Sequence, residues 1–261
     1  MKKITFHIPA PSLRWRAGGE AVLAVFLFFF SLSAQAQTQQ QWKDSISVLS
    51  KKIEQNPKSL EYRMRKAECN IALEQWQYAL DEYSNILDLY PTHIGALYFR
   101  AFVNHKLRRY SFARADYEQV LKYEPDHKGA LTGLILNNID EKRLPEAYDH
   151  ANHLVELYKD DAASYATRAQ VEEAMEKLSL AIDDISSAID ITAAKLTPNQ
   201  RLSYGDDYTQ YVFQRIALYR KEMAGLNKKA NSDDGILDKI EADEAMLIKR
   251  GIPSRAVKSR K

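Results

Sequence analysis

The stretch PTHIGALYFRAFVNHKLRRYSFARADYEQVLKYEP, residues 91–125, lies between two prolines 34 positions apart. Within it Leu97, Ala101 and Leu107, then Ala113, Tyr117, Val120 and Leu121, recur at three- and four-residue steps, which predicts two helices over Ile94–Leu107 and Tyr110–Tyr123. Arg108-Arg109 forms the joint, and Pro125, which has no amide hydrogen to donate, ends the second helix. The period extends outward in both directions. Pro57 precedes Pro91 by 34 residues, Ala79, Ala113, Ala147 and Ala181 share that spacing, and Ala67, Ala101 and Ala169 form a third column with Ile135 in the missing place. One period in three columns specifies a stack of like helical hairpins. The alanines fall where two antiparallel helices must approach closely, and Pro145 opens the second helix of its unit, where a missing amide costs nothing.

These residues resemble the tetratricopeptide repeat. At its position 8 stand Ala67, Ala101, Ile135 and Ala169; at position 20 the four alanines above; at position 24 Tyr83, Tyr117, Ala151 and Ile185. Position 27 departs from the family's small residue, with Ile86, Val120 and Leu154 before Ala188, and the closing proline is replaced by Lys159 and Thr192 in the later units. The resemblance implies an all-α, right-handed superhelical solenoid of helix-turn-helix repeats with capping helices, about four repeats spanning 57–193. Position 11 is Asn70, Asn104 and Asn138, expected to form a buried amide column hydrogen-bonded between adjacent repeats. An N-terminal capping helix is expected within 37–56, and C-terminal helices within 194–250 are expected to cover the far end, since terminal elements of a solenoid hide an otherwise exposed core face. There Asn199–Ala224 reads as amphipathic, Asn231–Gly235 as a loop, and Ile236–Arg250 as a last helix stopped by Gly251 and Pro253. Residues 251–261, rich in lysine and arginine, read as a flexible, solvated tail.

The leading segment is of another kind. Lys2, Lys3, Arg14 and Arg16 precede the uncharged run from Ala21 to Phe30, and Ala34-Gln35-Ala36 gives the small-x-small ending of a secretory signal peptide, with cleavage expected before Gln37. The run from Ala21 to Ala34 is 14 residues, short of the ~20 that span a bilayer comfortably. An uncleaved leader acting as a membrane anchor is the alternative. Export would place the protein in the periplasm or on an envelope face of a Gram-negative bacterium. Residues 37–193 carry 19 basic and 25 acidic side chains, whereas 194–261 carry 14 and 9, so the positive charge gathers at the C-terminal end. Nine glycines, eight prolines and one cysteine in 261 residues exclude collagen-like and disulfide-framework classes.

The chain lacks a nucleophile elbow, a phosphate-binding glycine loop and a His-Glu-x-x-His pair. His150 and His153 share one helix at i, i+3 with Glu146 and Asp149 nearby, but two nitrogens on a solvated outer helix make a weak metal signal. His93 and His127 each follow a closing proline by two residues and read as loop histidines, and Cys69 reads as a small core residue. No enzyme activity, cofactor or metal site is expected.

The resemblance further implies that each first helix faces a concave groove. That surface would present Met64 and Glu68, then Tyr98, Phe102 and His105, then Leu136 and Ile139, as partner-binding residues. Phe99, adjacent to Tyr98, is the aromatic residue expected to lie in the core instead. The Lys/Asn/Arg clamp with which some family members hold an acidic tail is absent, its places taken by Met64, Glu68, Phe99, Gly129 and Gly133. An aromatic and aliphatic centre with polar surroundings suits a peptide or helix of a protein partner. The expectation is an exported, non-enzymatic scaffold for protein–protein interaction. The alternative is a membrane-tethered spacer whose groove is filled by its own C-terminal helices. The basic tail suits contact with an anionic surface, whereas nucleic acid is not expected because the repeat body is acidic.

Overall fold

The computed structural model describes residues 39–226, 235–254 and 257. The leader 1–36 and all of the 231–235 loop except Gly235 lie outside the described residues. Among the described residues the chain forms eleven α-helices and no strand, and no helix is long and apolar enough to cross a membrane.

Two compact units divide at Gln75/Trp76. The first contains α1 (39–55) and α2 (Leu60–Ala72). Leu49 and Ile53 are buried on α1, and Ser59 caps α2 by accepting the Tyr62 amide. The second contains α3 (Trp76–Leu89), α4 (Ile94–Lys106), α5 (Tyr110–Tyr123), α6 (Lys128–Asp140), α7 (Leu144–Leu157), α8 (Ala162–Ala174), α9 (Leu178–Ala193), α10 (Asp207–Leu226) and α11 (Ile236–Lys249). Consecutive helices pack as hairpins, and α4, α6 and α8 also touch one another in order, so the first helices of the repeats form a continuous inner row. Pro145 sits in the first turn of α7 as expected.

The expected columns are the core. Every position-20 alanine is fully buried, as are Ala67, Ala101 and Ile135, with Ala169 1% exposed. The third repeat exchanges volumes at two of these places. Ile135 stands where the others have alanine and Ala151 where the first two have tyrosine; both are 0% exposed in one cluster with Leu131, Leu154 and Val171. A bulkier first helix is thus met by a slimmer second one, and the close packing of an interior is kept. Between repeats, the Tyr83 ring stacks on Phe99 at 5.8 Å, so Phe99 packs in the aromatic core while retaining partial exposure. One repeat later the Tyr117 ring lies over Gly133, where a Cβ would come within 2.4–2.6 Å of three ring atoms.

Each joint is a tight left-handed stop. Glu74, Arg108, Lys142 and Glu176, again 34 apart, have φ between 56° and 63°. Their amides donate to the carbonyls of Ile71, His105, Ile139 and Glu173, and the next amide reaches back five residues to Asn70, Asn104, Asn138 and Glu172. This double closure satisfies helix-end carbonyls, and its left-handed residue is usually glycine. Four ordinary side chains occupy it here.

Several expectations are corrected. Asn70, Asn104 and Asn138 are buried, but the amide column does not hydrogen-bond from repeat to repeat as expected: Asn70 Nδ2 and Asn138 Oδ1 have no partner. Asn137 makes that link instead, donating from Nδ2 to the Tyr110 carbonyl at 3.1 Å. Adjacent helical positions point about 100° apart, so 137 rather than 138 faces the preceding repeat. His93 and His127 are helix caps, each Nδ1 accepting an amide at 3.0 Å, in the register of Ser59 and Asp161. His150 is half-buried rather than solvated. It occupies the place of Asp116 and Asp184, as Leu134 occupies that of their partners Arg100 and Arg168. Burial pushes the His150 imidazole below its ordinary pKa, and neighbouring Asp149 opposes this.

At the C-terminal end, α10 begins at Asp207 rather than Asn199. The hairpin of α10 and α11 has lost the repeat register yet keeps its chemistry: Arg215 holds Asp243 in two bonds of 2.6 and 3.0 Å and reaches Ser186 on α9. Gly251, at φ 103°, stops α11 as expected. Two residues of the segment expected as a solvated tail are buried. Ile252 and Val257 are 2% and 1% exposed in the core of α8 to α11, because both are apolar and a turn from Pro253 to Val257 brings the second side chain inward.

Candidate functional site

The inner row of helices frames a cleft of about 450 Å³. Its walls are His105 from α4, Leu136, Ile139 and Asp140 from α6, Gln170, Glu173 and Ala174 from α8, and Lys221 from α10. The register explains the gathering: residues 34 apart on successive first helices stand side by side. Leu136, Ile139 and Ala174 supply an apolar floor.

The polar rim is tied down. Asn137 is fully buried, and because its Nδ2 donates to the Tyr110 carbonyl, its Oδ1 faces the His105 ring as acceptor. His105 Nδ1 therefore donates to it at 3.3 Å, and Nε2 lies 3.3 Å from Asp140 Oδ2. The Tyr110 ring meets the imidazole edge at 5.7 Å. Across the cleft Lys221 Nζ pairs with Glu173 at 3.3 Å. This exposed pair contributes little stability, so it is available for exchange with a ligand's charge.

Of the seven residues expected on the groove, the structure brings His105, Leu136 and Ile139 together. Tyr98 lies apart from that lining, half-buried among Phe99, Tyr117 and His127 at 5.1, 6.1 and 5.3 Å, over Gly129. Phe102 meets the Trp76 edge at 6.1 Å and carries Lys106 above its ring. Met64 is half-buried and Glu68 exposed on α2 of the first unit. Asn137 and Lys221 were not legible as site residues. Asn137 sits one place before the asparagine of the position-11 column, and Lys221 lies on a helix outside the repeat register. The C-terminal helices do not fill the cleft: α10 contributes Lys221 to its wall.

No grouping of three or more His, Cys, Asp or Glu among the described residues could hold a metal ion. Burial, with help from Glu68, pushes the Cys69 thiol above its ordinary pKa, the reverse of what a nucleophile needs.

No family model matches the chain, and no curated protein matches it in sequence. Solved structures do. A tetratricopeptide repeat protein from Parabacteroides merdae is 17% identical, with a TM-score of 0.53 over 82% of this chain and 79% of its own. MamA from Desulfovibrio magneticus gives 15% and 0.57 over 63% and 97%. YrrB, described as a tetratricopeptide repeat protein with an unusual peptide-binding site, gives 15% and 0.52 over 77% and 95%. The fold is that of a tetratricopeptide-repeat solenoid. At such identities the likeness speaks for architecture, and function must be argued from the site.

Proposed function

We propose that this chain is an exported, non-enzymatic scaffold that holds a peptide segment of a protein partner in the cleft between His105 and Lys221. The observation that carries the reading is the cleft itself, an apolar floor of Leu136, Ile139 and Ala174 inside a rim of exchangeable charge. That composition anchors an apolar side chain while the rim orients its neighbours. YrrB, which shares the fold and is described as having an unusual peptide-binding site, lends support. Export rests on the leader, and an envelope complex is the setting it suits. Contact with an anionic surface falls to Arg255, Lys258, Arg260 and Lys261, which lie outside the described residues.

Affinity capture from an envelope extract tests the cleft, comparing the parent with Leu136→Asp/Ile139→Asp. A protein retained by the parent and lost by the variant, with helicity unchanged, is the expected result. Equal recovery removes the cleft from the interface. N-terminal sequencing of the secreted chain tests export, with Gln37 expected first and Met1 or Lys2 pointing to the tethered spacer instead.

A further inference from the structure

The second and fourth repeats share a buried device that differs in one residue. In the second, Arg100 grips Asp116 through two bonds of 2.7 and 2.8 Å, and the neighbouring position-11 residue is neutral Asn104. In the fourth, Arg168 grips Asp184 through two bonds of 2.7 Å, but position 11 is Glu172, 2% exposed. The fourth repeat therefore buries two carboxyls against one guanidinium. Arg168 spends Nε and Nη2 on Asp184, and its Nη1 reaches Asn152 Oδ1 at 3.2 Å. Glu172 Oε2 has no hydrogen-bond partner, and its carboxyl lies within reach of Asp184.

We propose that Glu172 is a proton-dependent latch, closing α8 onto α9 while its carboxyl is protonated and loosening the fourth repeat when it ionises. The protonated acid is neutral, like the shorter asparagine amide that fills this place in the other repeats, and its O–H can donate to Asp184. The ionised acid is an unpaired buried charge beside a second carboxylate, which is costly. The groups facing it are Arg168 on its own helix, Asp184 on α9, and Lys177 at the joint. From α7, Asn152 accepts from Arg168, and Lys177 Nζ lies 4.7 Å over the Tyr148 ring. Desolvation and the Asp184 charge together raise the Glu172 carboxyl to about 7.

A raised folded-state value in an acid means that the native state holds the proton longer than the unfolded chain. Stability is therefore full below the ordinary 4.5 and falls as pH rises toward about 7. Hydrogen exchange of α8 and α9 amides, corrected for intrinsic rate, reads this directly. Between pH 5 and pH 8 the parent is expected to lose protection by up to roughly a hundredfold. Glu172→Gln, and Glu172→Asn with the residue of the other repeats, are expected to abolish that loss. His150 titrates on α7 with the opposite sign, and the comparison of parent with variant cancels it. An equal loss in parent and variants overturns the proposal. Should the variants fail to fold, carbon-13 titration of the parent decides: a Glu172 carboxyl ionising in the usual range overturns the latch, and one near neutrality upholds it.

Discussion

Replacing Gly133 by alanine sets two physical effects against each other, and the structure says which prevails. Glycine in the middle of α6 costs about 1 kcal/mol relative to alanine in backbone terms, so propensity alone expects a more stable protein. The geometry expects the reverse. A Cβ at 133 would stand 2.4 Å from Tyr117 Cζ and 2.6 Å from Cε1 and the hydroxyl. Apolar contacts settle near 3.5–4.0 Å, so the gap is short by roughly 1 Å. The ring cannot swing away, since Tyr117 is 2% exposed. Overpacking of this kind costs about 1–3 kcal/mol, which leaves a net loss of about 0–2 kcal/mol after the helical gain. Urea unfolding followed by circular dichroism measures it. Gly129→Ala is the control: its Cβ would meet the Tyr98 ring at 3.0–3.2 Å, and that ring is half-buried and can yield. A near-neutral or stabilising result is expected there. Tyr117→Leu should relieve Gly133→Ala, with a favourable coupling of about 1–3 kcal/mol in the double-mutant cycle. A stabilised Gly133→Ala, or no coupling to position 117, refutes the reasoning.

The left-handed joints predict gains. Arg108→Gly, Lys142→Gly and Glu176→Gly each remove a strain of about 1–2 kcal/mol, offset in part by glycine's unfolded freedom, and each should raise the unfolding midpoint by an amount equivalent to ~0.5–1 kcal/mol. His93→Ala should cost about 1 kcal/mol in thermal unfolding, whereas His93→Asp, the residue type that caps α8, should not. Because His150 binds its proton less readily folded than unfolded, its contribution is complete above the ordinary 6.5 and is lost as pH falls below it. His150→Gln should therefore flatten the acid side of a stability-against-pH curve. Truncation after Pro253 removes buried Val257 and should lower stability by about 1.5–3 kcal/mol, while a truncation that keeps Val257 should not.

The repeat was legible because its signals are local and recur: alanine where helices touch, tyrosine over the next hairpin, proline at the turn. Even the departure of Ile135 could be read against Ala151 once both were known to share a cluster. What escaped notice was of two kinds. The capping histidines and the four left-handed joints do recur at 34 residues, but their residue types are not the ones those conformations favour. The burial of Ile252 and Val257 had no period to announce it.

The sequence by itself determined that like hairpins stack, the bounds of α4 and α5 to within a residue, and that the alanine columns are core, because a 34-residue spacing converts chain position into spatial neighbourhood. Tertiary structure alone decided which groove residues share a cleft. His105, Leu136 and Ile139 meet Lys221 of a helix outside the repeat, while Tyr98 and Phe102 turn into aromatic contacts of their own. It also decided that Glu172 is buried beside Asp184 with Oε2 unbonded, since that depends on Arg168 gripping Asp184 and reaching Asn152 on two other helices. Side-chain register is a property of one helix; who faces whom, and which charge is already taken, is a property of three.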